Sequence, residues 1–263
     1  MSGRSQQVSA CAQLVLANNP GMMTLDGTNT WVLRAPGRSG VVVVDPGPLD
    51  EAHLSAVLET ASADGGHVEL VLYSHWHQDH TESIDRFAEL TGAVARAFDA
   101  QWCRGAAPLI PGEVLEVDGL QIEVHATPGH TADSLSFLLT DEGSLLTADT
   151  ILGRGTTVVA HPDGSLSDYL ESLHTIRELI VADRVQRLLP GHGPVTDSPL
   201  EAVDSYLRHR HERLAQVQAA VEAGASTARQ VVERVYADVD EELWWAAEMS
   251  VQAQLDHLKN VKV

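Results

Sequence analysis

The stretch Ser74-His75-Trp76-His77-Gln78-Asp79-His80 constrains this chain more than any other, because it packs three imidazoles and a carboxylate into six residues. It follows the apolar run Val68-Glu69-Leu70-Val71-Leu72-Tyr73 directly, so it reads as a metal cradle at the end of a buried strand. Neutral imidazole and ionised carboxylate are ligands for zinc and its borderline neighbours, and His75 and His77, two apart on extended backbone, point the same way. One ion takes that pair. Asp79 and His80 fall where the chain turns into a helix suggested by Ile84, Phe87, Ala88 and Leu90, and they project at a different angle, towards a second ion. Donors crowded in this way are hard to hold together without a cation. The isolated histidines His53, His67, His174, His209, His211 and His257 are instead expected to be solvated or helix-surface groups.

The length of 263 residues suits one large domain, or one of about 190 residues with a small appendage. With 17 Lys+Arg against 37 Asp+Glu, a net charge of -20, a duplex or long polyanion meets repulsion except at local basic or metal sites. The only lysines are Lys259 and Lys262, which argues against a lysine-based phosphate or membrane patch. Cys11 and Cys103, with no Cys-x-x-Cys, suggest reduced thiols rather than a disulfide framework or thiolate zinc site. Val8-Ser9-Ala10-Cys11 has the look of a lipoprotein cleavage box, but Ser2 to Gln7 offers no apolar segment before it. No run reaches the ~18 apolar residues of a membrane span. A cytoplasmic protein is expected.

Short β-rich runs at 12–17, 30–34 and 41–44, separated by turn signals, predict an antiparallel opening sheet. A helix over about 50–63 then leads to strand 68–73, and a helix over 81–91 to strand 94–97. Asp118-Gly119 and Asp141-Glu142-Gly143 mark hairpins joining 114–117 to 120–126 and 134–139 to 144–147. A helix over 166–181, strand 185–189 and helices over 199–223, 227–236 and 240–258 complete the chain, with Ser226 as N-cap of the penultimate helix. Strands plus helices in both halves fit two sheets packed face to face with helices outside, an α/β (α+β) arrangement. The domains are read as 1–196 and 197–263. The second holds 12 acidic and 7 basic residues, so it is no basic arm, and it is expected to pack on the first.

Two ions need more ligands, and three loops after strands offer them: His130 in Thr127-Pro128-Gly129-His130-Thr131, Asp149 in Thr147-Ala148-Asp149-Thr150, and His192 in Pro190-Gly191-His192-Gly193-Pro194. Taken alone, Asp149 could cap a turn and His192 could be an ordinary loop residue. In series, however, these motifs resemble the metallo-β-lactamase-fold hydrolases, whose fold is an αββα sandwich with a dinuclear site between its sheets. The resemblance implies that His75, His77 and His130 hold one ion, that Asp79, His80 and His192 hold the other, and that Asp149 bridges. It also implies that Asp45, before Pro46-Gly47, is a carboxylate orienting a ligand histidine. Two divalent ions are implied, zinc first, with iron or manganese compatible because all the donors are N or O.

A closer resemblance is to the β-lactamase-like protein 2 family. It rests on the His130 motif, on Ala148-Asp149-Thr150-Ile151-Leu152-Gly153-Arg154-Gly155-Thr156-Thr157-Val158, on Asp168-Tyr169-Leu170-Glu171-Ser172-Leu173 and on Pro190-Gly191-His192-Gly193-Pro194-Val195, together with a winged-helix-like C-terminal tail. Two departures stand out. Thr81-Glu82-Ser83 replaces the usual Gly-Gly pair and places a carboxylate near the site mouth. The tail also runs to Asn260-Val261-Lys262-Val263 without room for a full wing, so nucleic-acid docking by a wing is not expected.

The chemistry that follows is hydrolysis by a metal-bridging hydroxide between ions about 3.5 to 4 Å apart, with Asp79 orienting the nucleophile and passing its proton to the leaving group. The charge of -20 favours a small ester, thioester or lactone. The family resemblance raises an endoribonuclease on single-stranded RNA as the alternative, and a metal-bearing scaffold without activity is the non-enzymatic one. A dedicated β-lactamase fits less well, because such enzymes generally lack the bridging carboxylate. The loop 153–164 is expected to line the substrate side, with Arg154 as counter-charge for an anionic substrate, Thr156 beside it and His161 as an acid, and Trp76 is expected to be a packing residue. No membrane partner is expected, and the sequence does not specify an oligomeric state.

Overall fold

The computed structural model describes residues 5–261 apart from 160 and 238, so Lys262 and Val263 of the sequence-predicted tail lie outside the described residues. The strands β1 (Ser5–Gln7), β2 (Ala12–Leu16), β3 (Asn29–Leu33) and β4 (Gly40–Val44) run antiparallel. Helix α1 (Glu51–Ser62) crosses to β5 (His67–Leu72), and α2 (Gln78–Thr81) with α3 (Ile84–Thr91) leads on to β6 (Val94–Arg96), both strands adding in parallel. The second sheet holds β7 (Val114–Val117), β8 (Leu120–Ala126), β9 (Leu135–Leu139), β10 (Ser144–Ala148) and β11 (Arg187–Pro190), in the order β11-β10-β9-β8-β7. Helix α4 (Leu166–Val181) makes the crossover from β10 to its parallel neighbour β11. The chain continues in α5 (Pro199–Glu222), α6 (Ala228–Val235) and α7 (Trp244–Val261).

Side-chain alternation in β4 explains the layering. Val42 and Val44 face the inter-sheet core with Trp31, Leu72, Phe137 and Leu146, whereas Val41 and Val43 face α1 and α3 with Leu54, Val57 and Phe87. On the far side, Leu138, Leu145 and Leu188 meet Tyr169, Leu173 and Ile176 of α4 and Val203, Tyr206 and Leu207 of α5. The result is an αββα sandwich with α5 to α7 added on the second outer face. The sandwich brings the ends of β4, β5, β10 and β11 to one edge, where the polar motifs follow.

Several local expectations change. Strand β1 was not foreseen, since Ser5-Gln6-Gln7 is polar and exposed and pairs only through its backbone with β2. The helix expected over 81–91 is two pieces, and Asp79 and His80 lie inside the first of them, behind His77 at its N-cap. The N-cap of α6 is Thr227, not Ser226. The Thr227 hydroxyl accepts from the Gln230 amide at 3.2 Å, while Gln230 reaches back to the Ser226 amide at 2.8 Å, a reciprocal capping pair. Strand β11 starts at Arg187 rather than at 185. His53 is buried, 1% exposed, within hydrogen-bonding distance (2.9 Å) of the Thr30 hydroxyl, and not solvated. Among the described residues no strand follows β11, so the tail shows helices and no wing, and no helix is long and apolar enough to cross a membrane.

Phe137 is fully buried between the sheets. Phe137→Ala is expected to cost about 3–5 kcal/mol of stability, with no change of fold. Urea unfolding followed by circular dichroism measures it, and a loss below about 1 kcal/mol would contradict this packing.

Candidate metal centre

Directly after β4 comes Asp45, a residue 3% exposed whose backbone is held in a left-handed conformation (φ 50°). One carboxylate oxygen accepts from the Ser74 amide at 2.8 Å, and the other from the Ser74 hydroxyl at 2.6 Å and from Nδ1 of His80 at 2.9 Å. A carboxylate can only accept, so Nδ1 of His80 carries a proton and Nε2 is the ring nitrogen that faces inward, free to offer its lone pair to a cation once its own proton is displaced. The same logic orients two others. Nδ1 of His130 donates to the Val158 carbonyl at 2.6 Å and Nδ1 of His192 to the Gly27 carbonyl at 3.1 Å, which leaves both Nε2 atoms facing the centre. His75 rests with Nδ1 3.0 Å from the Ser74 hydroxyl, already committed as a donor to Asp45, so its Nε2 also points inward.

These donors converge in two groups. His75 Nε2 and His130 Nε2 each lie 3.0 Å from Nδ1 of His77, and Asp149 Oδ2 lies 3.6 Å from His130. His80 Nε2 and His192 Nε2 lie 3.3 and 3.2 Å from Asp79 Oδ2, and 3.6 and 3.3 Å from the two oxygens of Asp149. Within each of the sets His75, His77, His130, Asp149 and Asp79, His80, His192, the ligand atoms lie within 4.8 Å of one another. The structure thus brings together all seven donors expected from the sequence, with Asp45 behind His80.

The donor set fits a divalent cation. His80 Nε2 and Asp149 Oδ1 are buried with no hydrogen-bond partner, and unsatisfied buried groups cost about 1–3 kcal/mol each. Burial, then the neighbouring imidazoles, lower the pKa of His75 and His77, the latter to about 4, and burial also lowers His130, so these rings are neutral. Three neutral rings aiming lone pairs at one point repel unless a cation lies between them. In the other group burial is outweighed by Asp79, Asp149 and Asp45, which raise His80 to about 9, and by Asp149 and Asp79, which raise His192 to about 11. Burial of the Asp149 carboxyl is likewise outweighed by His192 and His80, which hold its pKa far below the usual range. Excess negative charge there calls for a cation.

The backbone is shaped for this approach. Ala148 adopts φ 44°, a strained value for a residue with a Cβ, and so turns Asp149 inward. A Cβ on Gly191 would lie 2.5 Å from Asp149 Oδ1 and 3.0 Å from His80 Cε1, so glycine lets the turn after β11 pass close to the centre.

The sequence profile of the metallo-beta-lactamase superfamily matches residues 23–192, which contain every donor named above. The chain belongs to the metallo-beta-lactamase superfamily. It is a hydrolase of that fold. The profile of the beta-lactamase associated winged helix domain matches residues 227–261, the span of α6 and α7. The beta-lactamase-like protein 2 homolog of Caenorhabditis elegans is 33% identical over 98% of this chain and 84% of its own length. An atrochrysone carboxyl ACP thioesterase of Aspergillus fumigatus is 30% identical over 84% of this chain and 72% of its own length. The crystal structure of a beta-lactamase domain protein from Burkholderia ambifaria matches with a TM-score of 0.83 at 20% identity, over 99% of this chain and 89% of that one.

In this metallo-beta-lactamase fold a cavity of about 350 Å³ opens onto His130 and Asp149. Met22, Met23 and Leu25 form one wall, residues 152 and 154–158 another, and α5 and α7 with Tyr236, Val239 and Leu243 between α6 and α7 the third. Arg154 and Thr156 line it as expected, but Arg154 is spent on a bidentate ion pair with Asp26 and is no free counter-charge. His161 turns away to Asp256 of α7 at 3.3 Å and is not part of the cavity wall. Glu82 accepts from the Leu49 amide at 3.1 Å and does not line this cavity either. Trp76 is exposed rather than packed, and its indole donates to Asp163 at 2.9 Å. A larger hollow of about 490 Å³ lies at the other ends of the strands and contains none of these imidazoles.

Sequence reasoning missed Thr28, which donates to Asp79 Oδ2 at 2.9 Å, and Asn29, whose amide donates to the Pro190 and Gly193 carbonyls at 2.9 Å each and so fixes the His192 turn. The polar run Asp26-Gly27-Thr28-Asn29-Thr30 ahead of an apolar strand was the available signal. It also missed His209, Arg210 and Arg213 in the cavity wall.

Gly191→Ala is expected to weaken divalent-metal binding at least about 10-fold, the scale on which a disturbed ligand shell acts, while His174→Ala, exposed on α4, leaves it unchanged. Competition with a chromophoric chelator measures both, and equal affinities for the two variants would contradict this centre.

Proposed function

We propose that the chain is a dinuclear metal-dependent hydrolase of small esters or thioesters, with residues 1–196 as the catalytic domain and 197–263 closing the cleft. The carrying observation is the cleft itself: about 350 Å³, in the range of small-molecule sites, and walled largely by Met22, Met23, Leu25, Leu152, Val158 and Leu243. A short acyl chain suits such a wall. A run of phosphates does not, and it would also approach against a net charge of -20. The similarity to a protein named as an acyl-carrier thioesterase supports the same substrate class.

In this reading His75, His77 and His130 hold one cation, Asp79, His80 and His192 the other, and Asp149 lies between them. Bound there, the cations would polarise the scissile carbonyl and lower the pKa of water towards neutrality. Asp79 is the catalytic residue. Its Oδ2 is fixed by the Thr28 hydroxyl, while its side chain keeps 27% exposure, which leaves it open to a water. Oxygen of that water bonds to the carbonyl carbon, its proton passes to Asp79, and the carbon–sulfur or carbon–oxygen bond breaks as Asp79 returns the proton to the leaving group. The products are a carboxylic acid and a thiol or alcohol.

Elemental analysis is expected to give about two divalent ions per chain, zinc foremost with iron or manganese compatible, and Asp149→Asn is expected to lower turnover at least about 10²-fold. A thioester, a lactone, a β-lactam and a fluorescent oligoribonucleotide, offered to the wild type and to Asp79→Ala at two salt concentrations, separate the substrate classes. The thioester is expected to turn over fastest and to be lost in Asp79→Ala. Oligoribonucleotide cleavage above all esters, abolished in that variant, would reject the reading in favour of a nuclease.

A further inference from the structure

Helix α5 presents His209, Arg210 and Arg213, all within one turn, to the cavity that ends at His130 and Asp149. Arg210 is 7% exposed, donates through one Nη to the Thr157 carbonyl at 2.6 Å and lies 4.9 Å from the Tyr169 ring centroid. Its Nε is buried without a hydrogen-bond partner, and so is Nδ1 of His209. Arg213 lies 4.8 Å over Tyr236 and donates to the Val235 carbonyl at 3.2 Å and to Gln216 at 2.9 Å. Among the described residues none of the three forms an ion pair with a carboxylate, although the chain has twenty more acidic than basic residues, 37 against 17. A buried guanidinium without a counter-charge is costly, and the other arginine of the cavity, Arg154, has taken Asp26. Two guanidinium forks and an imidazole beside an apolar wall have the donors for one planar or tetrahedral anion.

We infer that His209, Arg210 and Arg213 form a subsite for an anionic group, a carboxylate or a phosphate monoester, carried by the substrate at the end remote from the bond that is cleaved. This deepens the hydrolase reading and rests on it. The substrate is then an acyl ester or thioester with a charged terminus, its apolar segment lying along Met23 and Leu243. The C-terminal helices thereby contribute specificity.

The test reads binding rather than turnover, in the metal-loaded full chain. Three amide analogues are titrated by calorimetry: N-butylglutaramate, its neutral diamide, and the phosphate monoester of N-butyl-4-hydroxybutanamide. Wild type is expected to bind at least one anionic analogue about tenfold or more tighter than the neutral one, and the better of the two identifies the natural terminus. Arg213→Gln is expected to erase that preference without weakening the neutral analogue. Arg208→Gln, the same charge change at an exposed residue of α5 outside the cavity, is expected to keep it. Arg210→Lys, checked for folding by its melting curve, is expected to lose most of it, because the ammonium lacks the fork. No preference in wild type, or an undiminished one in both Arg213→Gln and Arg210→Lys, overturns the subsite. Tighter binding of a triribonucleotide than of either small anion overturns it in favour of a nucleic-acid groove. Absent ester hydrolysis with the anion preference intact would overturn the hydrolase reading alone.

Discussion

The Asp45 carboxylate is the joint on which the candidate metal centre hangs. Buried at the end of β4, it accepts from the backbone and hydroxyl of Ser74 after β5 and from the imidazole of His80 in α2, and so ties three elements at one point. Hydrogen bonds to a charged group contribute about 1.5–3 kcal/mol each, enough to offset the strain of a left-handed aspartate. Through Ser74 it also orders His75, so one residue that faces away from the centre sets two of the rings that face into it.

The opposite side of the centre is held by the C-terminal helices. The Tyr206 hydroxyl of α5 accepts from the Leu152 amide at 2.9 Å, and Arg210 of the same helix donates to the Thr157 carbonyl, so α5 grips the loop after β10 at both ends. That loop supplies the Val158 carbonyl and the Thr157 hydroxyl that face Nδ1 of His130. The helical segment therefore bears on the orientation of His130 as well as on the cavity wall. Its inner half shares a core with α4, while its outer half packs with α6 and α7.

Electrostatics divides the centre in the same way. The group around His77 consists of rings kept neutral by burial, whereas the group around Asp79 is rich in carboxylate and draws protons onto His80 and His192 when no other cation is there. One set offers lone pairs and the other offers charge, with Asp149 shared between them. The chain is acidic as a whole, yet His209, Arg210 and Arg213 are gathered in one small cleft beside this centre.

What the sequence determined by itself was everything that depends on neighbours along the chain. The hairpin at Asp118-Gly119, the span of α4 and the apolar run of β4 are local, and so are the motifs that carry His75, His77, Asp79, His80, His130, Asp149 and His192, because a donor placed directly after a strand has little choice of where to go. What only the tertiary structure decided was which distant partner each polar group takes. Arg154 finds Asp26 across 128 positions, His161 finds Asp256 on α7, and His53 is drawn under β3 to Thr30. Thr28 and Asn29 acquire their roles only because β3 passes beside β11, and Arg210 only because α5 lies over the loop after β10. Such choices are made by packing between layers, since burial makes an unpaired polar group costly and the partner that relieves it is whichever one the folded layers bring within reach.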